Sequence, residues 1–223
     1  MTPPFNTLGL SNSQTTPPPP LQVIEFPQRN FSKGDTLYYA GDQAETVYRL
    51  EEGLVKLSID LLTGKERITS IVGPGDYIGG ITPAHSIFQE TAEALSPQVK
   101  VTVIPADMLD GFLKDEVFSA AGNQLSRMRD ALEDSELPVT ARLARTFVRL
   151  GERFGHVSED QTVRLTLPLT HDNLAAMVGA ARETTTALMG EMREQGILEG
   201  TRGRYCFNLH DLSEFAVDAA FAY

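Results

Sequence analysis

The sequence is poor in residues that build metal and redox centres: it has one cysteine, four histidines and no tryptophan among 223 residues. One thiol excludes an internal disulfide and the set of cysteines that an iron–sulfur cluster needs. We interpret Cys206 as a small core residue of a strand, the alternative being a redox-sensing cross-link between two chains. His85 is the only histidine in the N-terminal half, where we interpret it as a loop residue. We therefore expect no metal and no cofactor.

Long apolar runs and catalytic motifs are also missing. No run is long enough to cross a bilayer and the start lacks the features of a signal peptide, so we expect a cytoplasmic protein without membrane contact. Neither a Gly-x-Ser-x-Gly elbow nor a Walker loop is present, and we expect no enzymatic activity. Residues 1–22, with Pro17 to Pro20 in series, predict a disordered or loosely docked tail, because they hold too little apolar surface to fold alone.

Basic residues are scarce for a nucleic-acid-binding protein. The chain has 19 basic and 30 acidic residues, a net charge of −11. Residues 1–137 contain 10 basic and 19 acidic residues, whereas residues 138–223 contain 9 and 11. The acidic excess therefore belongs to the N-terminal part, and the nine basic residues of the C-terminal part are all arginines. We therefore expect any DNA binding there to be sequence-selective, with a modest nonspecific component that salt easily removes.

Residues 169–196 predict two short helices joined by a tight turn. Thr170 is a suitable N-cap for the first helix, and Gly179 can adopt the left-handed conformation that ends it. The second helix restarts near Ala181, and one of its faces packs inward through Thr185, Leu188, Met189 and Met192. This arrangement predicts a helix-turn-helix. For the isolated pattern, the alternative is an αα-hairpin with a solvated outer face.

The outward face of the second helix carries groups that can contact DNA. Arg182 can donate two hydrogen bonds to guanine, Glu183 can accept one from cytosine, and Thr186 shares their face. Residues 197–209 alternate into a hairpin that turns at residues 202–204, which is the form of a wing. We expect base readout from the first three residues and phosphate contacts from Thr170, Thr184, Arg193, Arg202 and Arg204.

A long helix predicted to begin after Glu116 carries apolar residues at the 3–4 spacing of a two-stranded coiled coil. The alternative is a helix that packs on its own β domain. Pro138 pushes the preceding residue out of helical geometry, so this helix should stop by Leu137, and the pair forms a hinge. The proposed dimer seam consists of Phe118, Ala121, Leu125, Met128 and Leu132. Charged residues flank it at Arg127, Arg129, Asp130 and Glu133.

The sequence of the N-terminal half predicts short strands separated by glycine-containing turns. Residues 54–59 and 67–72 are runs of alternating apolar residues, and Gly-Asp or Pro-Gly pairs interrupt such runs. Short strands at this spacing predict a barrel or a sandwich.

These motifs resemble the CRP/FNR (cyclic-AMP receptor protein/FNR) superfamily of bacterial transcription regulators. Arg182-Glu-Thr at the head of the second helix carries the resemblance, together with the turns Lys33-Gly-Asp, Ala40-Gly-Asp and Gly73-Pro-Gly-Asp. The resemblance implies an α+β fold. After the tail it consists of a cyclic-nucleotide-binding-like β-roll (a double-stranded β-helix) in residues 23–115, a dimerisation helix in 116–137 and a winged helix-turn-helix in 138–223. It also implies a homodimer on a roughly palindromic site in double-stranded promoter DNA, with RNA polymerase as a further partner.

The resemblance also bears on the effector. In the cyclic-AMP-binding members a Glu after a Gly holds the ribose, and an Arg before Ser or Thr holds the cyclic phosphate. The corresponding residues here are Gly80 after Gly79, and Glu90 before Thr91. A carboxylate repels a phosphate, so we expect a degenerate effector pocket and a regulator active without cyclic AMP. The alternative function is a module whose sensor binds an unidentified small molecule and whose C-terminal domain docks protein rather than DNA.

Overall fold

A computed structural model describes residues 25–80, 87–108 and 114–222 of the chain. The expectations for the tail in residues 1–22 and for His85 lie outside these described residues. Among the helices in these ranges, none has both the length and the apolar character that crossing a membrane requires.

In the described part of the N-terminal domain, eight antiparallel strands form two four-stranded sheets. They are β1 (Gln28–Ser32), β2 (Thr36–Tyr38), β3 (Thr46–Glu52), β4 (Val55–Asp60), β5 (Glu66–Val72), β6 (Tyr77–Gly79), β7 (Thr91–Ala94) and β8 (Gln98–Pro105). The sheet orders are β1-β8-β3-β6 and β2-β7-β4-β5. Alternate side chains point between the sheets, where Leu50, Leu57, Val99 and Val101 are buried. The predicted β-roll is confirmed.

Residues 114–222 form five α-helices and a four-stranded sheet. The helices are α1 (Lys114–Ser135), α2 (Val139–Phe154), α3 (His171–Val178), α4 (Arg182–Glu194) and α5 (Leu209–Phe221). The strands are β9 (His156–Val157), β10 (Thr162–Thr166), β11 (Glu199–Thr201) and β12 (Arg204–Asn208), in the order β11-β12-β10-β9. Phe147 of α2 centres the core, with its ring 5.0 Å from that of Tyr205 and 6.1 Å from that of Phe207. The α+β class and the winged helix-turn-helix are confirmed.

The helical conformation is interrupted between α1 and α2 at the predicted position. Helix α1 ends at Ser135, and Pro138 has an extended backbone (φ −56°, ψ 152°) at the start of α2. No side chain caps α2 at this end, because proline offers none. The break therefore depends on the proline backbone rather than on a cap.

Ion pairs join the three parts of the chain across this break. The buried carboxylate of Asp134, near the end of α1, accepts a hydrogen bond of 2.7 Å from Arg145 Nε and a second from Arg149, both on α2. Arg153, one helix turn further, pairs with Asp76 of the β-roll and donates to the carbonyl of Ile71. The β-roll, α1 and the C-terminal domain are thus fastened to each other near one point.

We expect Asp134→Asn to lower the free energy of unfolding by about 1–3 kcal/mol, because two arginines lose the charge that compensates for their partial burial. Chemical denaturation measures the change. Glu136→Gln, at an exposed position two residues along the same segment, is the control and should be nearly neutral. Equal effects of the two substitutions would show that Asp134 does not anchor α2.

Candidate nucleic-acid interface and effector pocket

The first helix of the helix-turn-helix begins at a capping box. Thr170 Oγ1 accepts a hydrogen bond of 3.1 Å from the backbone N–H of Asn173, and Asn173 Oδ1 accepts one of 2.9 Å from the backbone N–H of Thr170. Two N–H groups that have no partner within the helix are thereby satisfied. The predicted N-cap is confirmed, and the hydroxyl of Thr170 is already engaged inside the protein.

Gly179 makes the turn between α3 and α4. Its φ of +66° is left-handed, and its N–H donates to the carbonyl of Ala175. A Cβ atom at this position would also overlap the guanidinium of Arg67, which reaches the turn from β5 of the β-roll. The glycine is therefore required both by the backbone conformation and by contact with the other domain.

Helix α4 buries the face that its periodicity predicts. Thr185, Met189 and Met192 are fully buried, and Leu188 is half-buried. Thr185 Oγ1 donates to the carbonyl of Ala181, 3.1 Å away, which satisfies the hydroxyl inside the core. Since these contacts fix the rotation of α4 about its axis, they also determine which residues face outward.

The outward face of α4 presents the residues expected to read bases. Arg182, Glu183, Thr184 and Thr186 are all exposed. The Nε atom of Arg182 lies 3.7 Å from Asp172 Oδ1, and Thr186 Oγ1 lies 2.9 Å from His171 Nδ1. Both partners stand at the start of α3, so the first turn of α3 orients two of the candidate side chains.

The wing lies beside this face. Strands β11 and β12 pair through Thr201 and Arg204, and the two residues between them have positive φ angles: +53° at Arg202 and +79° at Gly203. These angles describe a two-residue hairpin turn of the type that suits twisted strands. Arg202 and Arg204 are exposed, so both charges predicted at the wing are accessible.

Arg193 is placed differently from the sequence-based expectation. Its side chain is half-buried, and its Nε donates a hydrogen bond of 2.9 Å to the carbonyl of Gly200 on β11. The periodicity of α4 placed it on the outward face, but near the end of the helix the wing strand is close enough to bind it. Arg193 thus joins α4 to the wing, and we do not retain it among the phosphate contacts.

Cys206 also departs from the sequence-based interpretation. It lies in β12 between Tyr205 and Phe207, which are buried, and is itself half-buried. Side chains alternate along a strand, so the thiol is on the face of the sheet opposite the core. The strand was predicted correctly and the side of the sheet was not.

Two parts of this domain were not predicted. They are the β9–β10 hairpin and helix α5, which covers α2. Asn208 was the available signal for α5, because its side chain accepts hydrogen bonds from the N–H groups of His210 and Asp211.

Helix α1 leaves the predicted seam uncovered. The four large side chains of the seam, Phe118, Leu125, Met128 and Leu132, are between 64% and 69% exposed, and Ala121 is half-buried. On the opposite face, Ala120 and Asp134 are buried. The flanking charges divide: Arg129 and Glu133 pair with each other at 3.6 Å, whereas Arg127 and Asp130 face inward toward β5.

The interior of the β-roll is largely filled where an effector would lie. The ring of Tyr38 stacks at 4.0 Å on Phe88 and at 5.6 Å on Tyr48. The remaining cavity between these rings, Glu90 and Arg127 of α1 has a volume of about 40 Å³, which holds little more than one water molecule. Burial raises the pKa of the Tyr38 hydroxyl, and the neighbouring Glu90 carboxylate raises it further.

The four residues expected to mark the degenerate pocket have contacts within the protein. Glu90 accepts a hydrogen bond from Thr69 Oγ1, and Thr91 Oγ1 accepts one of 3.1 Å from the N–H of Ala40. A Cβ atom would lie 2.9 Å from the carbonyl oxygen of Thr46 at Gly79 and 2.6 Å from that of Ala44 at Gly80. The two glycines are therefore explained by the close approach of the neighbouring backbone. The arginine that enters from α1, Arg127, was not foreseen as a pocket residue.

Two known sequence families match separate parts of the chain. Residues 28–116 match the cyclic nucleotide-binding domain, and residues 141–216 match the Crp-like helix-turn-helix domain. Among curated proteins, the CRP-like cAMP-activated global transcriptional regulator of Mycobacterium tuberculosis is 25% identical over 183 residues, which is 79% of each chain. The transcriptional regulator LdrP of Thermus thermophilus is 29% identical over 174 residues, covering 76% of this chain and 86% of LdrP.

Solved structures show the same architecture. FixK2 from Bradyrhizobium japonicum matches with a TM-score of 0.71 at 19% identity, over 85% of this chain and 98% of FixK2. A CRP/FNR-family transcriptional regulator from Thermus thermophilus matches with a TM-score of 0.69 at 26% identity, over 86% of this chain and all of the other. Both domains are thus matched in the same order.

We expect Thr170→Ala to lower the free energy of unfolding by about 1 kcal/mol, because it removes the hydroxyl of the capping box. Thr170→Ser keeps the hydroxyl and should behave like the wild type. Thermal and chemical denaturation of the three proteins measure the difference. A loss in the serine variant as large as that in the alanine variant would mean that the hydroxyl does not stabilise α3.

Proposed function

Because the chain belongs to the CRP/FNR superfamily of transcription regulators, we propose that it acts as a homodimer that binds a roughly palindromic promoter site and does so without cyclic AMP. The observation that carries the proposal is the exposed row on α4, with the arginine-bearing wing beside it. RNA polymerase is the partner that we propose from the family. The steps of the proposal concern base readout, dimerisation and the effector.

Base readout is assigned to Arg182, Glu183 and Thr186. All three lie in the first turns of α4, the part of a recognition helix that enters the major groove. Arg182 is long enough for bidentate donation to guanine, and its 3.7 Å separation from Asp172 is loose enough for DNA to replace that partner. Phosphate contacts are assigned to Thr184, Arg202 and Arg204, which are exposed around the same face, and to the start of α3 at Thr170.

We expect Arg182→Ala to weaken binding to the cognate site by about 1–3 kcal/mol and to relax the preference at one guanine in each half-site. A fluorescence anisotropy titration against the cognate site and single-base variants of it measures both effects. Equal losses on cognate and scrambled DNA would contradict base readout by this residue.

Arg202→Ala and Arg204→Ala should weaken binding to all sequences alike and reduce the dependence of affinity on salt, because each removes one phosphate contact. Titrations at several salt concentrations measure the slope. An unchanged slope with a changed base preference would place these arginines against bases instead.

Dimerisation is assigned to the exposed apolar row on α1. Together with Ala121, the residues Phe118, Leu125, Met128 and Leu132 recur at alternating spacings of three and four, and the four large side chains are exposed on the protomer. A row of large apolar side chains on one helix is costly in water, and pairing with the same row of a second copy removes it from solvent. In such a dimer the two recognition helices can reach successive major grooves.

We expect the double substitution Leu125→Glu, Met128→Glu to give monomers, because a charge in the seam loses hydration without gaining a partner. Analytical ultracentrifugation measures the mass, and binding to the full site should fall toward that of a half-site. Ser126→Glu, exposed on the same helix outside the seam, is the matched control and should remain dimeric. A double mutant that still sediments as a dimer would place the interface elsewhere.

Independence from cyclic AMP is supported by the state of the β-roll interior. The stacked rings of Tyr38 and Phe88 leave about 40 Å³, and the acidic Glu90 stands where a cyclic phosphate needs a cation. The Mycobacterium tuberculosis relative is named as cAMP-activated. Among the described residues, the lining of this space has one cation, Arg127 of α1, together with the acidic Glu90, so the β-roll interior offers cyclic AMP little space and no arginine at the predicted phosphate position.

We expect 1 mM cyclic AMP to change neither the melting temperature nor the DNA affinity relative to an AMP control. A ligand stabilises a protein only through its affinity for the native state, and it shifts a conformational equilibrium only through its differential affinity for the two states. Differential scanning fluorimetry and anisotropy measure the two quantities. A clear rise in melting temperature above the AMP control would overturn the proposed independence.

A further inference from the structure

A second, larger cavity lies where the β-roll meets the helices. It has a volume of about 260 Å³ and is bounded by β5, α1 and α2, with Met177 of α3 at its edge. It differs from the small cavity inside the β-roll, with which it shares Arg127. Each of the three parts of the chain contributes to its wall.

Positive charge dominates this wall, although the chain as a whole carries a net charge of −11. Four arginines face two aspartates, Asp130 and Asp134. The arginines come from three different elements: Arg67 from β5, Arg127 from α1, and Arg149 and Arg153 from α2.

Ion pairs with aspartates involve two of these four arginines and not the other two. Arg149 is held by Asp134, and Arg153 is held by Asp76. Among the described residues, no ion pair within 4 Å forms at Arg67 or at Arg127. Asp134 and Asp76, which hold Arg149 and Arg153, therefore form no direct ion pair with Arg67 or Arg127.

Both of these arginines are half-buried. Burial lowers the pKa of Arg67, and the nearby Arg142 lowers it further, whereas Asp134 acts in the opposite direction. Burial and Arg153 lower the pKa of Arg127, and Glu90 and Asp76 offset part of that effect. Guanidinium groups remain charged at neutral pH, so their partial burial destabilises the folded protein. A bound anion would reduce this destabilisation.

We propose that this cavity binds a small molecule with two anionic groups, phosphate or carboxylate, through Arg67 and Arg127. Guanidinium groups donate in pairs to the oxygen atoms of both kinds of group, which is the strongest polar contact available at such a site. The volume lies just below the range of pockets for drug-sized ligands, so it suits a compact metabolite rather than a dinucleotide.

Binding at this place would affect the relative placement of the domains. The ligand would contact the β-roll through Arg67, the dimer helix through Arg127 and the C-terminal domain through α2. Arg67 also lies against Gly179, the turn of the helix-turn-helix. An anion held by Arg67 would therefore favour the arrangement seen here, in which that turn rests on β5.

Pyrophosphate and succinate are the probes, each added to the purified full-length protein at an ionic strength matched with sodium chloride. Isothermal titration calorimetry should give one site per protomer for at least one probe, and the melting temperature should rise with it. A response to pyrophosphate alone identifies phosphate as the recognised group, and a response to succinate alone identifies carboxylate.

Arg67→Gln and Arg127→Gln should each weaken this binding at least tenfold. Neither substitution leaves a partner carboxylate unpaired, so both variants should fold, and either one suffices for the test. Arg29→Gln, an exposed arginine on β1 in the opposite sheet, should bind like the wild type. The proposal is overturned if neither probe binds at millimolar concentration. It is also overturned if the Arg67 and Arg127 variants bind as tightly as the control. That result would place the anion on another arginine surface, such as the DNA-binding face.

Discussion

The carboxylate of Asp134 connects helix α1 to the C-terminal domain. It is buried near the end of α1 and holds Arg145 and Arg149, one helix turn apart on α2. Pro138 follows four residues later and prevents α1 and α2 from forming one continuous helix. Helical backbone hydrogen bonds therefore do not fix the angle between the two helices. The ion pairs supply that connection, and Arg153 with Asp76 ties the same helix to the β-roll. The orientation of the recognition helix relative to the apolar row on α1 depends on these contacts.

The interior of the β-roll and the cavity between the domains are two candidate sites for a small molecule. Among the described residues, the stacked rings of Tyr38 and Phe88 leave a space of about 40 Å³ in the interior of the β-roll, which supports the proposed independence from cyclic AMP. The cavity between the domains has a volume of about 260 Å³, and two of the arginines in its wall, Arg67 and Arg127, form no ion pair with the residues that the structure describes. Its walls belong to the β-roll, to α1 and to the C-terminal domain. If this protein responds to a small molecule, the interdomain cavity is where binding would have the most direct effect on the DNA-binding domain.

Local signals made much of the architecture predictable from the sequence. Thr170 and Gly179 specify the ends of α3 through short-range backbone chemistry, and Pro138 specifies the end of α1 in the same way. The prediction was less successful where a side chain is placed by residues distant in sequence. Periodicity placed Arg193 outward, but the wing carbonyl of Gly200 binds it, and Arg127 was assigned to the edge of the seam although it faces the β-roll. Such contacts depend on how the domains and strands pack, which no local pattern records.

Selection of binding sites from a random DNA library by the purified protein, without any added nucleotide, tests whether the protein binds DNA as a dimer and without an effector. We expect enrichment of an inverted repeat whose half-site centres lie about one helical turn, or about 10 base pairs, apart, because two recognition helices related by the α1 seam enter successive major grooves. An enriched single half-site without symmetry would contradict the dimer. No enrichment in the absence of nucleotide, followed by enrichment once cyclic AMP is added, would contradict effector-independent binding.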